Sequence, residues 1–373
     1  MKCDQAAAAT VATNHAIRRA AIAVGCLLLG VSMAVLGLRS EAAPTVAPAA
    51  APAADRVTVA ARAALGKRLF ADTTLSRDRT VSCAGCHESA RAFTDGKPVA
   101  TGFEGKLGTR NTMSLLNVGG QTSFFWDGRR TRLEDQVLDP LVNPLEHALA
   151  DQGQVLSTLR ANRGYREAFA AAFPNARPDP IQTENLSIAL AAFVRTLVSP
   201  ESAIDRFVVK NDKGALSPDA RAGFQVFTGK AQCVSCHSLK PDSTSGRVLL
   251  TDQAFHAHGA AFYGMHQSLD RMAKQVLAKG KPLSDVARDD PQGTDGLGRF
   301  MVTGALADVG AFRTPSLRNV AKTAPYFHDG RVTTLELAVE QELLTQGSEQ
   351  RLISPEEKRV LLVFLKALND DTR

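Results

Sequence analysis

The chain of 373 residues is predicted to be mainly α, with one helical unit built twice. Three observations carry that prediction. The string Cys-x-x-Cys-His occurs at residues 83–87 and again at residues 233–237. A helix-like segment with Gly and Phe four apart precedes each copy, Gly66 with Phe70 and Gly223 with Phe227. Far downstream of each copy lies an apolar segment, IALAAFVRTLV at 188–198 and VLLVFLKAL at 360–368. Apolar residues recur at helical spacing in both, so each buries one face. Strand signals are few and short.

The elements follow in chain order. Arg18 and Arg19 precede a charge-free apolar run over residues 20–38, and Ser40-Glu41-Ala42 is a small-x-small cleavage motif. Removal of residues 1–42 as a signal peptide is expected. The alternative is a retained anchor, since a run of 19 residues just reaches across a bilayer. Either route exports the body of the protein, which points to the periplasm, with a membrane tether only if the anchor stays. Residues 43–54, APTVAPAAAPAA, form a Pro/Ala linker that stays extended. Residues 55–200 and 201–373 are then the two domains, with the break near Ser199-Pro200, and each is long enough for its own core. The first helix of the second copy opens with Ser217 as cap and Pro218 at its first position. Its last helix opens with a capping box, Ser354 and Glu357 around Pro355.

Composition narrows the partners. The formal charge is +6, which falls to +4 without residues 1–42 because four basic and two acidic groups leave with them. Basic runs with interleaved aromatics are absent, which excludes a nucleic-acid footprint. Cys3 and Cys26 lie in the export segment. Every other cysteine belongs to one of the two repeated strings, leaving none for disulfides.

Two cysteines two residues apart, followed at once by His, are the attachment signature of a c-type haem. Cys83 and Cys86, then Cys233 and Cys236, would form thioethers, while His87 and His237 each take one axial position on iron. A structural zinc site of four thiolates is the alternative, but zinc does not require a His after each pair. Helices packed across each other over a covalently held haem are the plan of a class I cytochrome c domain, so two tandem domains of that kind are expected.

The segment between the strings, FFWDGRRTRLEDQVLDPLVNPLEH at 124–147, carries a further signal, together with GTRNTMSLLNV at 108–118 and FRTPSLRNVAKTAPYFHDG at 312–330. With both Cys-x-x-Cys-His strings, these make residues from about 61 to 368 resemble the bacterial di-haem cytochrome c peroxidase superfamily, which includes the methylamine-utilisation MauG-type enzymes. The resemblance implies a Trp between two haems and a Gln and a Glu over the open face of the first. The matching positions are Trp126, Gln136 and Glu146, ten apart. A carboxylate near a dry haem pocket can take a proton from one peroxide oxygen and return it to the other. A side-chain amide supplies preset dipoles for the departing oxygen. Taken singly, Trp126 reads as a core aromatic and Glu146, after Asn143-Pro144, as a helix-start carboxylate. Arg129 and Arg130 are candidate propionate anchors or exposed loop arginines.

Two departures from the family pattern matter. Many members carry a distal His in the loop after the first attachment string, whereas residues 88–110 contain none and Phe103 stands near the expected spot. The first haem is therefore expected to have His87 as its only protein ligand and to bind peroxide without prior reduction. The family's second axial ligand on the other haem lies sixteen residues after the Tyr of APY-x-HDG, Met in peroxidases and Tyr in the MauG type. Here that position is Glu342. Met301, His256, His258 and His266 are the other candidates, as is water or an open site. A Met ligand raises the potential and an oxygen ligand lowers it. The resemblance also implies a calcium ion held by the Asn111 side chain and the carbonyls of Thr323 and Pro325, an all-oxygen set that suits it.

The expected activity is that of an exported di-haem peroxidase reducing hydrogen peroxide to water. Electrons would come from a small c-type cytochrome, a cupredoxin or a quinol-linked carrier, enter at the His237 haem and cross by way of Trp126. A homodimer is compatible with this reading. The alternatives are a MauG-type oxidase acting on a partner protein and a non-catalytic di-haem electron carrier.

Overall fold

The computed structural model describes residues 53–257, 294–345 and 353–370, with isolated positions between 272 and 290. The export segment, the linker up to residue 52, and the candidate ligands His258 and His266 lie outside the described residues. Helices dominate the rest. They are α1 (Ala53–Phe70), α2 (Cys83–Cys86), α3 (Leu133–Gln136), α4 (Asp139–Val142), α5 (Gln152–Ala161), α6 (Arg163–Ala172) and α7 (Thr183–Arg195). Then follow α8 (Ala203–Val209), α9 (Pro218–Thr228), α10 (Phe300–Thr303), α11 (Leu335–Thr345) and α12 (Pro355–Lys366). The only named strands among the described residues, β1 (Phe255–Ala257) and β2 (Ala311–Arg313), form one antiparallel pair with His256 opposite Phe312. No described helix is long and apolar enough to cross a membrane.

The repeat read from the sequence reappears as a repeated helix crossing. Helix α1 packs on α7 and α9 packs on α12. A Cβ on Gly66 would lie 1.9 Å from the carbonyl oxygen of Ala189, and one on Gly223 would lie 2.0 Å from that of Val360. Glycine is present at both points because only a hydrogen fits between the backbones. Four residues on, the rings meet in the same way. Phe70 lies 5.1 Å from Phe193 and Phe227 lies 5.1 Å from Phe364, at interplanar angles of 58° and 60°. Such ring pairs contribute about 0.5–1.5 kcal/mol beyond their area burial. The predicted caps form as well: Ser217 accepts from Ala220, and Ser354 and Glu357 close a reciprocal box.

These crossings sit in two separate apolar cores. One gathers α1, α5, α6 and α7 around Leu69, Tyr165, Phe169 and Leu186. The other gathers α8, α9 and α12 around Ile204, Phe227, Phe364 and Leu368. Apart from both, Trp126 and Phe312 form a small cluster with Met113. The 199–205 stretch is pinned at both ends: Asn117 donates to Ser199, and Arg318 bridges Asp205 (2.9 Å) and Asp370 (2.8 Å) while donating to the Pro200 carbonyl. The Arg318 and Asp205 side chains are both buried, at 1% and 2% exposure, so this ion pair is made away from water.

Candidate functional site

The two Cys-x-x-Cys-His strings open onto two different cavities. The narrower, about 70 Å³, is lined by Cys83, Cys86 and His87 together with Gln136, Glu146 and His147. The wider, about 260 Å³, is lined by Cys233, Cys236 and His237 and also by Trp126, Arg313 and Glu342. Four cysteines divided in this way do not converge on one tetrahedral zinc cage. Burial pushes the Cys83 thiol up to about 12 and the Cys86 thiol to about 11, so neither surrounding favours a thiolate.

Each cavity presents one imidazole in the same manner. His87 holds its Nδ1 against the Phe93 carbonyl at 2.9 Å, and His237 holds its Nδ1 against the Leu250 carbonyl at 2.9 Å. A carbonyl only accepts, so Nδ1 carries the proton and Nε2 is left as the electron-pair donor. Burial lowers the proton affinity of His87 below the usual histidine value, which keeps it in the ligating form. The Phe of each helix crossing lines its own half's cavity: Phe70 the narrower, with its ring 6.3 Å from that of His87, and Phe227 the wider. Two thiols, an oriented imidazole and an aromatic wall fit a c-type haem in each half.

Glu146 and Gln136 reach the narrower cavity from consecutive short elements. Gln136 ends α3. Glu146 follows α4 in a turn in which its own amide donates to the Asn143 carbonyl at 3.0 Å and the Asn143 side-chain amide donates to its Oε1 at 2.5 Å. The loop after the first attachment string lies directly on this turn. Phe103 donates its backbone N–H to the Glu146 carbonyl at 2.8 Å, and a Cβ on Gly102 would meet the Leu145 oxygen at 2.1 Å. Ala100 and Gly102 line the cavity, whereas Phe103 is buried beside it. Burial raises the proton affinity of Glu146 above the ordinary glutamate range, opposed in part by the Asn143 bond and the charge of Arg129. Desolvation of the charged form is the cause.

Trp126 does not share that cavity. It is buried in the wall of the wider one, donating from Nε1 to the Asn111 carbonyl at 2.9 Å and accepting from the Arg313 amide at 2.8 Å. Glu342 projects from α11 into the same space, flanked by Ala338, Val339 and Leu335 on one helical face. His256 lines it too, bonded through Nε2 to Asp252 at 2.7 Å. Met301, in α10, is not among the lining residues. Asn111, Thr323 and Pro325 all border this cavity. The Asn111 amide nitrogen donates to the Lys97 and Pro98 carbonyls, which leaves its Oδ1 as the atom suited to a cation. Arg129 and Arg130 are already engaged, the first with Asp127 and over the Phe125 ring, the second with Asp139 through two bonds.

Three residues at these cavities carry no sequence-based expectation. His147 is buried in the narrower one, with Nδ1 against the Leu75 carbonyl at 2.9 Å and Nε2 3.9 Å from Cys83 Sγ. Its only signal was its place directly after Glu146. In the wider cavity His328 stacks on Phe312 at 3.8 Å. Burial, aided by the Arg110 charge, lowers its pKa to about 3. The third is Arg313.

Comparison with known proteins agrees with this geometry. The family profile described as di-haem cytochrome c peroxidase matches residues 60–213. The methylamine utilization protein MauG of Methylorubrum extorquens is 35% identical over 317 residues, covering 82% of this chain and 78% of that one. Cytochrome c551 peroxidase of Pseudomonas aeruginosa is 32% identical over 305 residues, covering 82% and 78%. Among solved structures, a MauG-like protein associated with microbial copper homeostasis superposes with a TM-score of 0.67 at 30% identity, covering 90% of this chain and 96% of that chain.

Proposed function

Since the chain belongs to the di-haem cytochrome c peroxidase family that includes MauG, and is thereby an oxidoreductase using peroxide, we propose that it is an exported di-haem peroxidase of two tandem cytochrome c domains, reducing hydrogen peroxide to water in the periplasm. The observation that carries the reading is that Glu146 and Gln136 line the cavity of Cys83, Cys86 and His87. A haem held at those three residues would supply a ferric iron on which the O–O bond is cleaved. The chain's own residues do the rest. Glu146, enclosed and with raised proton affinity, takes the proton from the near oxygen of the incoming peroxide and passes it to the far, departing one. Gln136 donates to that departing oxygen as charge develops. Asn143 fixes the carboxyl rotamer. Phe103 and Gly102 close the loop over the site and exclude bulk water. His87 is the sole protein ligand in this half.

The other half serves electron entry. Cys233, Cys236 and His237 would hold the second haem, and of the further candidate ligands Glu342 and His256 line that cavity whereas Met301 does not; Glu342, which stands at the family's ligand position, would be the one to approach the iron. Trp126, in the wall of this cavity, would carry electrons on toward the first half. Asn111, Thr323 and Pro325, which border this cavity, would hold a calcium ion through oxygen atoms. The donor is a small redox protein, a cytochrome c or a cupredoxin.

One experiment tests the reading: stoichiometric peroxide added to the resting ferric protein, followed by reduced cytochrome c. Rapid, repeated cytochrome oxidation is expected. A lasting spectral change without cytochrome oxidation would instead favour an oxidase acting on a partner protein. An unchanged spectrum would leave only electron carriage.

A further inference from the structure

We propose that Arg313 binds a propionate carboxylate of the haem held at Cys233, Cys236 and His237 and raises that haem's reduction potential; the inference rests on the two-haem reading above. Arg313 is 3% exposed and lines the wider cavity. Its Nη1 is buried without a hydrogen-bond partner. Its remaining side-chain contacts are weak, Nε to the Phe125 carbonyl at 3.4 Å and Nη2 to the Met113 sulfur at 3.6 Å.

The surrounding arginines make the contrast. Arg129 pairs with Asp127, Arg130 with Asp139, Arg110 with Asp295, and Arg318 with Asp205 and Asp370. Arg299 donates to the Asp127 and Gly128 carbonyls. Among the described residues Arg313 has no ion pair. Burial lowers its pKa to about 10, so it still carries its charge at neutral pH. A buried, uncompensated cation is costly enough that native chains supply a counterion.

The geometry of the cavity indicates which one. Cys233 and Cys236 would hold the vinyl edge of a c-type haem, and His237, oriented by its Nδ1 bond to the Leu250 carbonyl, would face its iron. Only the propionate edge remains to be placed. A guanidinium fork matches a carboxylate in two parallel bonds. Glu342 is the one carboxylate lining the cavity, and Arg318, His237, His256, His328 and Tyr326 are the other titratable groups facing it besides the two cysteines; Arg318 is already paired with Asp205 and Asp370. None of these pairs with Arg313. The same residue donates its backbone N–H to the Trp126 carbonyl, so the cation stands beside the aromatic on the proposed electron route. Reduction removes one positive charge from the iron, and a nearby cation favours that change.

The test uses the di-haem protein. Haem is counted after alkaline pyridine treatment, and a spectroelectrochemical titration follows each haem. Arg313→Gln should keep two covalent haems while the reduced-to-oxidised ratio of one of them, at a fixed potential, falls at least tenfold, which is 59 mV for a one-electron couple. Arg313→Lys, which keeps the charge though not the two-bond fork, should stay within about threefold of the parent, because the potential responds to the charge. Titrations of Arg313→Gln that superimpose on the parent overturn the proposal. Fewer than two haems in the parent overturns the two-haem reading itself. Should the glutamine variant fail to fold, a crystal structure of the parent decides: a propionate oxygen about 3 Å from the guanidinium is expected, and none within hydrogen-bond reach refutes it.

Discussion

Replacing Glu146 by Gln removes one proton-accepting oxygen and little else. The backbone bonds from Phe103 and to Asn143 are untouched. Gln can present its carbonyl to the Asn143 amide that now donates to Oε1 at 2.5 Å. Side-chain volume is conserved, so the cavity keeps its shape. The variant loses the relay. Positioned proton transfer contributes about 10² to 10⁴ in rate, which at about 1.36 kcal/mol per tenfold is roughly 2.7–5.4 kcal/mol of barrier. Steady-state oxidation of reduced cytochrome c by peroxide should therefore fall about 100-fold or more, with both haems still attached. Stability gives an independent check. The folded state raises this carboxyl above the ordinary 4.5, chiefly through burial. Its contribution is therefore fully present below pH 4.5 and is lost as pH rises through the raised value. Gln does not titrate, so the variant should gain stability relative to the parent above that range and match its pH dependence below it. Full peroxide turnover in Glu146→Gln would refute the proton-relay role.

Other expectations follow from the same geometry. The resting ferric haem of the narrower cavity should be high-spin in the parent and in His147→Leu alike, by electron paramagnetic resonance; a low-spin parent that turns high-spin in the variant would make His147 a ligand. Glu342→Met should raise the potential of the second haem, since under the proposed ligation a thioether would take the place of a carboxylate on iron; an unchanged potential would remove Glu342 from the coordination sphere. Gly223→Ala should destabilise the chain by about 3 kcal/mol or more, the upper end of overpacking, since the new methyl would stand 2.0 Å from a backbone oxygen that has nowhere to retreat. The midpoint of guanidinium unfolding measures it, and an unshifted midpoint would mean the crossing is looser than described.

The parts legible in the sequence were those set by short-range rules. Cys-x-x-Cys-His needs its residues within one turn, the Ser354–Glu357 box needs a spacing of three, and the Gly66–Phe70 and Gly223–Phe227 pairs need one helical turn. All of these appear as read. Gln136 and Glu146 were placed through the family resemblance and do line one cavity, but the same reasoning did not foresee that Trp126 borders the other. Arg129 and Arg130 looked like anion anchors because no spacing rule reveals that Asp127 and Asp139 already hold them. Arg313 and His147 were silent for the complementary reason. What distinguishes each is a missing or distant partner, and chain order does not encode that.

The glycine crossings have a consequence for how such a chain can change. Where two helices meet backbone to backbone, the gap between them is at its minimum, and no substitution of a neighbouring side chain can narrow it further. Both halves therefore share one immovable hinge-pin, with the phenylalanine and the attachment string hung from it at the same offset. Novelty in either half has to come from the lengths and letters of the segments strung between the fixed points. In one half that segment supplies a carboxyl and an amide from the stretch around α3 and α4; in the other it supplies a carboxyl from α11. A doubled frame of this sort lets one copy specialise without loosening the grip of the other.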